Sequence, residues 1–251
     1  MPHRSVAAAA AVALLSAAAP ARAAEPVKNV VLVHGAFADG SGWRRVADIL
    51  GKDGYAVSVV QEPLTSLADD AAATRRVLDL QKGPAILVGH SYGGMVITEA
   101  GNAPNVAGLV YIAAFIPDKG QSALDLLSQA PAANNDLRPT QDGFLYIAPA
   151  AFPADFAADL PPAEANFMAH SQVMLAKAAA AAPVSAAAWR QKKCWALVAG
   201  RDHNINPDLE RSMAKRAGCE AIEVPGSHAV YMSRPKDVAR LIERAAKASG
   251  R

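Results

Sequence analysis

The chain has only two cysteines in 251 residues, with 6% aromatic and 19% charged residues. Two thiols are too few for a structural zinc site, and no histidine lies at ligand spacing from either one. Neither sign of charge prevails, since 25 basic residues stand against 23 acidic ones for a formal net charge of +2. That balance gives no sign of the basic stripe by which a nucleic-acid-binding surface is known. No apolar run approaches the roughly 20 residues a membrane-spanning helix needs. Disorder is excluded by the 52% of apolar residues, which are enough to bury a core. Much of that share is alanine, 58 residues in all, so the excess is small side chains rather than lipid-seeking ones. The length suits one good-sized domain.

The first residues account for part of this picture. Arg4 and the free amine precede an apolar run from Val6 to Leu15, and small residues lead to Ala21-Arg22-Ala23. This is the layout of a secretory signal peptide over 1–23, cleaved after Ala23. Ten apolar residues are too short to anchor the chain in a bilayer. Removal takes out Arg4 and Arg22 and leaves 23 basic against 23 acidic residues. The mature domain, 24–251, is therefore expected to be exported (periplasmic or secreted), neutral and free of the membrane. An oxidising compartment favours a disulfide between Cys194 and Cys219. Two buried free thiols are the alternative.

Short β-branched runs alternate with helical patterns along the domain. Strands are read at Val30–Val33, Ala56–Val60, Ala85–Val88, Val106–Ala113, Cys194–Ala199 and Glu220–Val224. Helices are read from near Trp43 to before Gly54, then at Leu67–Leu80, Ser91–Gly101, Pro207–Ala217 and Arg234–Lys247. This alternation predicts an α/β fold, a mostly parallel sheet covered on both faces. From about 117 to 186 it stops. That stretch, rich in Ala, Pro and Asp, is expected to form a small helical cap inserted into the sheet, with a helix over Ala178–Ala188.

Gly89-His90-Ser91-Tyr92-Gly93 has the G-x-S-x-G pattern, set between an apolar strand and a helix. That context is a nucleophile elbow, which lifts the Ser91 hydroxyl clear of the sheet. A serine hydroxyl needs a base, and the base needs an acid to orient it. Of six histidines, His3 leaves with the leader, and His34 and His90 sit beside glycines where each orders a loop. His170 falls in the cap, and His203 follows the aspartate of a turn. His228 comes directly after the last strand, on the edge where a parallel sheet forms its sites. Asp202 follows the preceding strand on that edge, with Asp118 as its competitor. Backbone N–H groups of Tyr92 and of Ala36, in the loop after the first strand, are placed to hold an oxyanion. Among cap and loop aromatics, Phe37 and Phe115 lie nearest the strand ends and are the first candidates to line an acyl pocket. Gly40-Ser41-Gly42 begins like a dinucleotide fingerprint but has Arg45 where the third glycine belongs. No histidine or carboxylate cluster has metal spacing.

Val31-Leu32-Val33-His34-Gly35-Ala36, Gly89–Gly94, Gly200-Arg201-Asp202 and Gly226-Ser227-His228, in this order, resemble the α/β-hydrolase superfamily. Within it the chain is similar to small esterases related to plant methylesterases and hydroxynitrile lyases. The resemblance implies Ser91, Asp202 and His228 as catalytic triad, Ala36 and Tyr92 as oxyanion donors, and no cofactor. The lyase branch has Thr and Lys where this chain has Gly35 and Ala229, which favours ester hydrolysis. The expected function is thus that of a serine hydrolase, a carboxylesterase for small uncharged esters. A barely catalytic binding protein on the same fold and a hydroxynitrile lyase-like enzyme are the alternatives.

Overall fold

The computed structural model describes Met1, His3, residues 25–133 and residues 136–250. All of the expected leader except its Met1 and His3, and so its cleavage point, lies outside these. Nine strands run in chain order as β1 (Asn29–Val33), β2 (Ala56–Val60), β3 (Ala85–His90), β4 (Val106–Ile112), β5 (Leu137–Pro139), β6 (Phe144–Ile147), β7 (Leu175–Ala176), β8 (Cys194–Ala199) and β9 (Glu220–Val224). Six of them form one parallel sheet in the order β2-β1-β3-β4-β8-β9. Alternating residues of β1 feed two separate cores, because successive side chains of a strand point to opposite faces. Val31 and Val33 pack toward α2 (Leu67–Asp79), α3 (Gly93–Ala100) and α8 (Pro207–Ala217). Val30 and Leu32 pack toward α1 (Arg44–Lys52) and α10 (Pro235–Ala248).

The edge strand β9 is kept from further pairing by charge. Its Glu220 and Glu223 point out to Arg244 at 2.6 Å and Arg211 at 2.8 Å. The strand order reverses between β1 and β3, and all six strands end on one side there. Ligands of open parallel sheets bind in the crevice at such a reversal. The loops after β1 and β3, which carry Ala36 and Ser91, flank it.

The insertion between β4 and β8 departs from expectation. It holds α4 (Ala123–Gln129), α5 (Phe152–Asp155), α6 (Pro162–His170) and α7 (Lys177–Ala181), but also a three-stranded antiparallel sheet, β5-β6-β7. Strands of two to four residues are too short to show alternation in sequence. They are held by a hairpin in which Thr140 N–H donates to Phe144 O at 2.8 Å and Phe144 N–H to Thr140 Oγ1 at 2.8 Å. The alanine-rich stretch also yields a shorter helix than expected. α7 stops because Ala182 precedes Pro183 and is extended, with ψ 124°, as a residue before proline tends to be. A four-residue helix, α9 (Val230–Ser233), precedes α10. Among the described residues no helix is long and apolar enough to cross a membrane.

Cys194 opens β8 and Cys219 immediately precedes β9, and the two are disulfide-bonded with Cα atoms 4.6 Å apart. Trp195 pairs with Glu220 in the ladder, so the parallel register sets the two cysteines side by side. They lie at the strand starts, the end of the sheet away from Ser91.

Candidate active site

Ser91 follows the last residue of β3 with φ +53°, a left-handed conformation that a residue with a side chain adopts only at a cost. Its neighbours hold it there. Ser91 N–H donates to Ala113 O at 3.2 Å, and Ser91 O accepts from Gly94 N–H at 2.9 Å and Phe115 N–H at 3.2 Å. Glycine is required around it by close backbone approach. A Cβ on Gly94 would lie 2.0 Å from Phe115 O, and one on Gly89 2.5 Å from Gly93 O. The elbow delays α3 to Gly93, two residues later than the sequence suggested, because Ser91 and Tyr92 form the turn.

The three polar side chains predicted to act together meet at the strand ends. His228 Nε2 lies 2.8 Å from Ser91 Oγ, and His228 Nδ1 lies 2.5 Å from Asp202 Oδ2. Asp202 Oδ1 accepts from Asn204 N–H at 2.7 Å and Ile205 N–H at 2.9 Å. With Asp202 ionised, Nδ1 carries the proton and Nε2 is the free acceptor for the serine hydroxyl. All three residues are buried, so the interaction is little weakened by water. Asp118, the competitor for the acid, is instead tied to Arg190. That guanidinium hydrogen bond holds its carboxyl below the usual carboxylate range.

Two other buried histidines, His34 and His90, order structure. His34 Nδ1–H faces Gly35 O at 2.9 Å while its Nε2 accepts from Glu62 N–H at 3.0 Å, so the ring is neutral and fully used. His90 Nε2 lies 2.9 Å from the backbone oxygen of His228 and so braces the loop that carries it. Burial first, then the neighbouring His228, pushes the His90 imidazole well below its ordinary range. Phe156 meets the His228 ring edge-on at 4.8 Å between centroids.

A cavity opens over Ser91 and His228. Ala36, Phe37, Tyr92 and Phe115 line its floor, and the cap supplies Leu124, Leu127, Leu145, Ile147 and Leu175. The N–H groups of Ala36 and Tyr92 donate to no protein acceptor among the described residues, leaving both available to a developing oxyanion. Of the other cap and loop aromatics, Phe152 stacks on Phe156 in the core, Trp189 donates to Pro117 O and Phe167 is exposed on α6. No lysine or arginine appears among the described residues lining the cavity.

Residues 30–241 match the family model described as the alpha/beta hydrolase family. The chain belongs to the α/β-hydrolase family. The chain is 36% identical over 116 residues to the carbendazim hydrolyzing esterase of Nocardioides sp. (strain SG-4G), a match covering 41% of this chain and 48% of that one. It is 31% identical over 134 residues to the putative methylesterase 13, chloroplastic, of Arabidopsis thaliana, covering 47% of this chain and 30% of that one. The matches thus span half or less of these curated relatives. A pyrethroid hydrolase from Sphingobium faniae JZ-2 superposes with a TM-score of 0.75 at 22% identity, over 88% of this chain and 98% of that one. At that identity the likeness speaks to the fold.

A buried polar group behind Tyr92 escaped the sequence reading. Asp70 on α2 accepts from Leu64 N–H at 2.8 Å and from Tyr92 Oη–H at 3.0 Å. Burial raises its carboxyl to about 6. Glu62, beyond the end of β2, is buried with no donor on either carboxyl oxygen. Burial and then the Asp70 charge push it well above the usual range, and Thr74 acts in the opposite direction. The signal was present in sequence: Asp70 shares the buried face of α2 with Leu67, Ala71, Thr74 and Leu78, and a carboxylate on an apolar face is costly unless partnered.

This arrangement has a consequence for stability. A carboxyl with a raised native pKa contributes fully below its unfolded pKa, and that contribution is lost as pH climbs toward the native value. The slope is at most about 1.4 kcal/mol per pH unit for each group. Glu62→Gln keeps the shape without the proton to lose. Its urea midpoint is expected to fall less steeply than the wild type between about pH 5 and pH 8. Parallel slopes for the two proteins would show that Glu62 does not carry the dependence.

Proposed function

We propose that this hydrolase cleaves small uncharged carboxylic esters through an acyl-enzyme on Ser91. The observation that carries the reading is the aligned pair of contacts, Ser91 Oγ to His228 Nε2 and His228 Nδ1 to Asp202, with Ser91 held at positive φ. His228 takes the Ser91 proton as Oγ attacks the ester carbon, and Asp202 holds the imidazole and balances the imidazolium that forms. The carbonyl oxygen, gaining charge, is met by the N–H groups of Ala36 and Tyr92. The imidazolium then protonates the departing alkoxide, and an activated water repeats the sequence on the acyl-enzyme. No cofactor enters any step.

The cavity supports small uncharged substrates. Its wall is mostly aliphatic and aromatic, which suits an acyl chain, and the carboxyls among its lining, Asp136 and Asp155, offer no cation to a substrate carboxylate. The same lack weighs against cyanide release, because no lysine stands beside His228, where Ala229 is buried. The esterase names of the two curated relatives point the same way. We also propose that the domain is exported, which the leader pattern and the Cys194–Cys219 bridge support.

Two assays test the reading together. A fluorophosphonate probe is expected to label Ser91, and short-chain nitrophenyl esters to be turned over by the unlabelled protein but not by the labelled one. Absence of both would favour a binding protein on this fold. Hydrogen cyanide release from a cyanohydrin, without ester turnover, would favour lyase chemistry.

A further inference from the structure

Glu210 takes no part in the steps above, yet it is bound to the turn that carries the acid of the triad. It lies on α8 beside the core residues Leu209, Met213 and Ala214, and is itself buried at 3% exposure. Its Oε2 accepts the Ala199 N–H at 3.1 Å. Ala199 is the last residue of β8, and its carbonyl accepts the Asp202 N–H at 3.0 Å. Glu210 therefore grips the turn that presents Asp202. Its Oε1 is enclosed and receives no donor. Arg211, the neighbouring cation, is turned outward to Glu223 at 2.8 Å and to Asp208, so it leaves Glu210 without a counter-ion. Burial and then the charge of Asp202 both push the Glu210 carboxyl well above the usual range, while the Ala199 N–H and, more weakly, Arg211 oppose this.

Both carboxyls are buried and Asp202 acts on Glu210 through its charge, so two ionised groups here would repel with little solvent between them. A single proton removes the conflict, and the oxygen without a donor is the one free to carry it. We propose that Glu210 is a positioning residue that stays protonated through turnover and donates its O–H to the Asp202 carboxylate. The site is then a chain of four, Ser91, His228, Asp202 and Glu210, with one negative charge shared at its far end. Asp202 receives donors from Asn204, Ile205, His228 and Glu210, which leaves it little freedom to turn away from the imidazole. The Glu210 proton does not move during the reaction, so its effect reaches the substrate only through Asp202 and His228.

The proposal rests on the esterase reading, and its test separates the two. Glu210→Gln keeps a neutral donor and an acceptor for Ala199. It is expected to hold kcat/KM within about threefold and leave the acid limb of the pH profile in place. Glu210→Ala removes both and is expected to lower kcat by roughly 10- to 100-fold with KM nearly unchanged. The proton itself can be read without any substrate. The infrared difference spectrum of wild type minus Glu210→Gln at neutral pH should show a protonated-carboxyl C=O band. Absence of that band overturns the proposal. So does an acid limb that moves a full pH unit lower in Glu210→Gln, because an ionised Glu210 would then have been stabilising the imidazolium. A Glu210→Ala protein that melts earlier but keeps wild-type kcat while folded reduces Glu210 to packing and also overturns it. Failure of the wild type to react with fluorophosphonate or ester would sink the esterase reading, while the infrared band would still report on Glu210.

Discussion

Ser91→Ala is expected to lower kcat for a short-chain nitrophenyl ester by about 10⁴- to 10⁶-fold. KM should change little, because the ester is held by the cavity wall rather than by the hydroxyl. The loss is large because the substitution removes the hydroxyl that His228 is placed to activate. His228 then has no proton to take, although its contact with Asp202 is intact. The residual rate should not be zero. Ala36 and Tyr92 still present their N–H groups, and such donors with binding alone retain some catalysis over water. Stability should hardly move, since alanine and serine meet the same cost at φ +53°. A melting temperature near wild type, with kcat reduced as stated, establishes that the defect is chemical. Activity within tenfold of wild type would mean that another nucleophile or a bound water does the work.

The largest effect on stability is expected from the disulfide. Cys194 and Cys219 are 25 residues apart, and closing a loop of that size contributes about 3–4 kcal/mol in the loop-entropy account. Changing both to serine should therefore lower the melting temperature by roughly 7–14 °C in a domain of this size. The effect on kcat at room temperature should be less than about twofold, because the bridge joins strand starts and the chemistry sits at strand ends. Thermal melts of the two proteins, with ester assays well below the transition, measure both quantities. A melting temperature within about 2 °C of wild type would show that the bridge constrains little. The same cysteines report on export. Protein recovered after export should show no titratable thiol when denatured without reductant, and a titratable thiol in that material would count against both bridge and compartment.

Much of this molecule was legible before any coordinates. The strands of the main sheet could be read because parallel strands are buried on both faces and appear as apolar runs, as Val30–Val33 and Ala85–Val88 do. Ser91, Asp202 and His228 could be read because each lies within four residues of a strand end, and parallel strand ends share one edge. Asp118 also lies beyond a strand end, but the sequence favoured Asp202, which sits in the Gly200-Arg201-Asp202 motif. The structure agrees, giving Asp118 to Arg190 and Asp202 to His228. The cap was the weakest part. Its strands are too short for periodicity, and its wall is built from Leu124, Leu145, Ile147 and Leu175, which in sequence look like any other apolar residues.

The sequence by itself determined the architecture, the nucleophile elbow and the order of the reacting groups, because these depend on local backbone geometry and on strand polarity. Only the tertiary structure decided that Asp118 is tied to Arg190, what lines the cavity over Ser91 and which acids lie buried behind the site. Those outcomes depend on which residues the fold packs together, as when burial and the charge of Asp70 act on Glu62 and burial and the charge of Asp202 act on Glu210. The cost of burying a charge, which shapes all of them, is set by surroundings that no local stretch of sequence contains.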